Sequence, residues 1–149
     1  MDDRAVSVTL NYTLTLGISA ILVVGLLTAG GNFVESQRNS VVDSELDVIG
    51  ERLASDIATA DRLVRIGDGT PTVNVTAQLP DAVSGQSYNV AVVTSNGNAS
   101  VELTSPSLDR SVTANIANTT AVAPSSVTGG TVEIYYDPSS GQLVVRDAS

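Results

Sequence analysis

The stretch AVSVTLNYTLTLGISAILVVGLLTAGGNFV, residues 5–34, runs for thirty positions without a charged side chain. A helix crosses the hydrocarbon core of a bilayer in roughly 20 residues, so this stretch is long enough to span it. Lipid offers no partners to backbone N–H and C=O groups, which leaves a helix as the reasonable single-span form. The competing readings are a buried core helix and a cleaved secretory signal. A signal has an apolar region of about 7–15 residues behind a more basic segment, with a small-residue cleavage site after it. This stretch is longer and passes straight into an amphipathic pattern, so it predicts a retained membrane anchor. Tyr12 and Phe33 flank its apolar centre. At about 1.5 Å per residue they lie roughly 30 Å apart, near the two interfaces that aromatic rings favour.

From Ser40 onward the apolar residues become periodic. Val42, Leu46, Ile49, Leu53, Ile57, Ala60 and Val64 recur at steps of three and four, which is one helical stripe. Asp43, Asp47, Glu51, Asp56 and Asp61 are assigned to the other, solvated face. Ser40 with Asp43 offers an N-cap, and Arg62, Arg65 and Gly67 suit a helix end. Asp61 and Arg65 stand at the i,i+4 spacing of an ion pair. The pattern predicts one long helix over about 6–65, with Gly30-Gly31 as the place where it would loosen.

After Gly67 the chain changes to short runs rich in Val and Thr, at 72–79, 87–94, 100–104, 111–117, 131–136 and 142–146. Asn96-Gly97 between two runs is a hairpin signal of the type I′ kind. Asp137-Pro138-Ser139-Ser140-Gly141 reads as a second hairpin loop, and 117–130, rich in Thr, Ser and Ala, as a long connection. The fold class expected is α+β. A long N-terminal helix, transmembrane and then amphipathic, precedes a small antiparallel sheet or sandwich whose apolar face the 42–64 stripe covers. No internal repeat is apparent.

Composition narrows the function. The chain of 149 residues has no Cys and no His, which removes disulfides, thiolate nucleophiles, imidazole acid–base chemistry and the commonest metal ligands. Sixteen acidic residues face seven basic ones, all Arg. The net charge of −9 argues against nucleic acid and anionic lipid headgroups as partners. The acid-rich, Lys-free composition resembles that of proteins from extreme halophiles, where salt screens the mutual repulsion of dense carboxylates. Asp43, Glu45, Asp47 and Glu51 do not make a metal site, because helical residues two apart point in widely different directions. Asp68-Gly69 and Gly129-Gly130 read as turns and not phosphate loops. No carboxylate pair stands out for glycosidase-type chemistry. The sequence therefore predicts a non-enzymatic protein without cofactor or metal.

Asp3-Arg4-Ala5-Val6-Ser7, two charged residues and a small one directly before the long apolar segment, resembles the class III signal of archaeal type IV pilin-like proteins. The resemblance implies that a prepilin-type peptidase cuts between Ala5 and Val6, with Arg4, Ala5 and Val6 as the processing residues and Ala in place of the commoner Gly. The order of span, amphipathic extension and β domain also resembles pilins, most closely the small pilin-like membrane proteins of haloarchaea. The likeness is good over 2–64 and architectural beyond. The chain departs from bacterial pilins in lacking a Glu near the mature N-terminus, so their subunit registration does not carry over.

On this reading residues 1–5 are a short charged leader, 6–34 a transmembrane and assembly helix, 35–66 an amphipathic helix and 67–149 an extracellular β domain. The function implied is that of a structural subunit, major or minor, of a cell-surface type IV pilus-like filament. Its partners would be the membrane, like subunits packed through the N-terminal helix, and the peptidase. An alternative of another class is a single-span, envelope-anchored binding module resembling the archaellum stator proteins. Asn74-Val75-Thr76, Asn98-Ala99-Ser100 and Asn118-Thr119-Thr120 match the N-glycosylation pattern and make Asn74, Asn98 and Asn118 candidate acceptors. A fourth match, Asn11-Tyr12-Thr13, falls inside the apolar stretch.

Overall fold

The N-terminal helix, α1 (Asp2–Ile66), continues through the Gly30-Gly31 pair and the polar residues that precede the amphipathic stripe. The computed structural model describes residues 2–67, 72–95 and 97–148, with side chains from residue 8 onward. Seven strands follow: β1 (Asn74–Gln78), β2 (Asn89–Ser95), β3 (Asn98–Ser105), β4 (Arg110–Ile116), β5 (Ser125–Thr128), β6 (Thr131–Asp137) and β7 (Gln142–Asp147). The architecture is α+β, a long N-terminal helix and then an antiparallel β domain. The chain divides into two units, residues 1–39 and 40–149.

Two local expectations about α1 are corrected. Gly30-Gly31 does not interrupt the helix, although each glycine costs about 1 kcal/mol against alanine in a helix interior. Ser40 caps nothing, because the chain is already helical there; its carbonyl instead accepts the Ser44 hydroxyl at 2.8 Å. The helix ends where the sequence places it, with Gly67 N–H donating to Leu63 O at 3.2 Å.

Within the second unit the stripe residues Val42, Leu46, Ile49, Leu53, Ile57 and Ala60 are buried, and Val64 packs partly against them. They share one core with Val90, Val92, Val101, Leu103, Val132, Ile134, Leu143 and Val145, the inward positions of the alternating strands. Gly50 marks the closest approach of helix and sheet. A Cβ built on it would lie 2.8 Å from Leu103 Cδ1 and 3.3 Å from the Ala114 side chain. The ion pair between Asp43 and Arg110, at 3.7 Å, ties the same helix to the first residue of β4.

The strands are ordered β1-β6-β7 and β4-β3-β2-β5, antiparallel throughout. The β2–β3 hairpin turns through Gly97, whose φ of +83° suits the expected turn; Asn96 lies outside the described residues, as does the predicted turn at Asp68-Gly69. In the β6–β7 hairpin the Asp137 carboxylate accepts Ser139 N–H at 2.9 Å and Gly141 takes φ +69°, which closes the loop.

The expected long connection at 117–130 is the main correction to the topology. Part of it is β5, paired with β2, and part runs beside β7, where Ala123 N–H donates to Leu143 O and Leu143 N–H to Ala121 O. The segment therefore links the two sheets, pairing with β2 of one through β5 and with Leu143 on β7 of the other through residues 121–123. Its SSVT strand buries only Val127, so no apolar alternation betrays it in sequence.

Candidate functional site

Two surfaces stand out in the structure. The first is α1 over residues 8–34. Val8, Leu10, Leu14, Leu16, Ile18, Ile21, Leu22, Leu26, Leu27 and Phe33 are all exposed, so these apolar side chains have no cover among the described residues. The helix is long and apolar enough to cross a membrane. Its hydroxyls suit that setting. Thr13, Thr15 and Thr28 each donate to the carbonyl four residues back, at 2.8–2.9 Å, and so need no water. Gly17, Gly25, Gly30 and Gly31 have open space where a Cβ would stand. Arg4, Ala5 and Val6 belong to the same helix; their side chains lie outside the described residues.

The second surface is the solvent face of the β domain. Glu133 on β6 receives bonds from Arg146 Nε and Nη2, each at 2.6 Å, and from the Asn74 side-chain amide. The Arg146 hydrogen bond and then that of Asn74 hold the Glu133 carboxyl below the usual range. The Arg146 guanidinium also lies 4.4 Å from the centre of the Tyr135 ring. This cross-strand cluster is one that sequence spacing does not reveal, because β1 and β6 are far apart in the chain. Of the candidate acceptors, Asn74 and Asn98 are exposed at the first positions of β1 and β3, and Asn118 is half-buried.

Asp61 is the clearest correction to the helix-face assignment. It is 1% exposed, and not on the solvated face with Asp47 and Glu51. Its Oδ1 accepts Thr120 N–H at 2.7 Å and Thr119 N–H at 3.2 Å, while Arg65 Nε reaches Oδ2 at 3.2 Å. Burial pushes its carboxyl up, but the Thr120 N–H and hydroxyl, the Thr119 N–H and the Arg65 charge outweigh it and hold the carboxyl below its ordinary value. The helix thereby fastens the start of the linking segment. Asp61→Ala should cost about 1–3 kcal/mol at neutral pH by leaving these donors without an acceptor. Because the folded-state pKa is depressed, the wild-type stabilisation is complete above the unfolded value near 4 and is lost as pH falls through the lower folded value. Denaturation at pH 7 and in acid should thus show the gap between wild type and variant narrowing at low pH. A gap independent of pH would assign Asp61 a packing role only.

Among the described residues no group of three or more acidic side chains converges as a metal site. The chain belongs to a family of unknown function, DUF7266, which matches it over residues 1–147. The match covers the helix and the β domain together. No curated protein and no solved structure matches the chain.

Proposed function

We propose that this protein is a pilin-like structural subunit, held in the membrane by α1 and assembled through that helix into a cell-surface filament with the β domain facing the medium. The observation that carries the reading is the division of labour along one helix. Residues 8–34 expose every large apolar side chain, whereas 42–64 form the buried spine of a small β domain. A soluble protein has no use for so long an uncovered apolar surface, which marks membrane or protein contact. Gly17, Ser19, Ala20 and Gly25 would let neighbouring helices approach closely, in lipid or in a filament core. The acidic, Lys-free β domain suits a salty external medium of the kind haloarchaea inhabit.

Processing follows from the same reading. The mature protein should begin at Val6, after a prepilin-type peptidase removes residues 1–5. Intact-mass measurement or N-terminal sequencing of the native protein checks this, and a terminus at Met1 or Asp2 would refute it. Replacing Arg4 and Ala5 with bulky neutral residues should block the cut while leaving membrane insertion unchanged. An uncut chain that stays monomeric in lipid would instead support the envelope-anchored module, whose working surface would be the Glu133–Arg146 face.

A further inference from the structure

We infer that Asn98 is the N-glycan acceptor of this protein, and that Asn74 and Asn118 are not modified; the inference rests on the β domain lying outside the cell. The three matching tripeptides are equivalent as sequence but not as structure. Asn98 opens β3 at the end of the β2–β3 hairpin, opposite Ser95, and is exposed. Its side chain makes no hydrogen bond among the described residues. Strand alternation turns Ala99 into the core, where it is 2% exposed, and places Asn98 and Ser100 together on the solvent face. Amide and hydroxyl of the tripeptide thus lie on the same face of β3, with Asn98 exposed and Ser100 half-buried.

The other two sites are engaged. The Asn118 amide donates to Thr120 O at 2.9 Å, within its own tripeptide, and the backbone N–H groups of Thr119 and Thr120 are held by buried Asp61. A saccharide on Asn118 would have to break this half-buried turn and the helix contact behind it. At Asn74 the amide nitrogen donates to Glu133, whose other oxygen is held by Arg146, so the nucleophilic atom is already committed to a carboxylate. In the transfer itself, Asn98 Nδ2 forms a bond to the anomeric carbon of a saccharide carried on a polyprenyl phosphate. The bond from that carbon to the phosphate oxygen breaks, the lipid phosphate leaves with the electron pair, and the amide gives up one proton.

The test uses the full chain purified from membranes of its own cells. Cleavage before Asp68, Asp81, Asp109 and Asp137 puts each tripeptide on a separate peptide for mass spectrometry. The expected result is a saccharide mass on the Asn98 peptide alone, lost in Asn98→Gln and in Ser100→Ala and retained in Ser100→Thr. Immunogold labelling of the β domain on intact cells is run in parallel. Surface label with an unmodified Asn98 overturns the inference and leaves the external location standing. Modification of Asn118 or Asn74 also overturns it. Absence of both label and saccharide overturns the inference together with the location on which it rests.

Discussion

Leu53→Ala should destabilise the β domain by about 2–5 kcal/mol, whereas Val48→Ala, one and a half turns earlier on the same helix, should change stability by no more than about 0.5 kcal/mol. Both substitutions shorten an aliphatic side chain on α1, and helix propensity favours Ala over Leu or Val by no more than about 0.7 kcal/mol, too little to produce the expected gap. Burial does. Leu53 is 0% exposed at the centre of the stripe that meets the sheet, and Val48 is 68% exposed on the side turned away. Truncating Leu53 removes apolar surface from the core and leaves a cavity between helix and strands, where packing is too dense for easy collapse. Urea denaturation of a fragment beginning at Ser40 measures the difference. Equal losses at the two positions would mean that the helix does not rest on the sheet through this stripe.

That stripe shows why some of the fold is legible in sequence. A helix that covers a sheet must repeat its apolar residues at three and four, and Val42 to Val64 do so without a break. The hairpins are similarly plain, since Gly97 and the Asp137–Gly141 loop carry their own turn chemistry. What sequence conceals is anything decided by a distant partner. Asp61 reads as one more acid in an acidic series, yet two backbone donors some sixty residues later make its burial favourable. Polar Ser125 and Ser126 read as loop, yet the open edge of β2 recruits them into a strand. The Asn74–Glu133–Arg146 cluster likewise exists only once β1 has paired with β6. The apolar segment 8–34 is the opposite case. Its length and apolar character, enough to cross a membrane, are legible from sequence alone, and among the described residues nothing covers it.

The separation of the two units yields the second large effect. A fragment of residues 40–149 should be monomeric and folded in molar salt, and should lose stability as salt is withdrawn, whereas the full chain should be oligomeric once extracted from lipid. The fragment holds thirteen acidic residues against five Arg, a net charge of −8. Three of those arginines, Arg65, Arg110 and Arg146, already sit in ion pairs. Asp43, Asp47 and Glu51 follow one another at i,i+4 on α1, where like charges destabilise by about 0.2–0.5 kcal/mol per pair. Withdrawing salt lengthens the screening distance from about 3 Å at 1 M to about 10 Å at 0.1 M, which exposes each carboxylate to more of its neighbours. Repulsion then grows faster than the exposed pairs can offset, since such pairs are worth about 0–1 kcal/mol each. Urea is the denaturant to use across the salt series, because it is uncharged and leaves the screening unchanged. Stability that rises as salt is withdrawn would mean that the ion pairs outweigh the net charge. Sizing of both chains completes the test: oligomers should form only when residues 8–34 are present, because that apolar surface has no other way to leave water. A fragment that polymerises without the helix would place the driving contacts between β domains and remove the basis for assembly through α1.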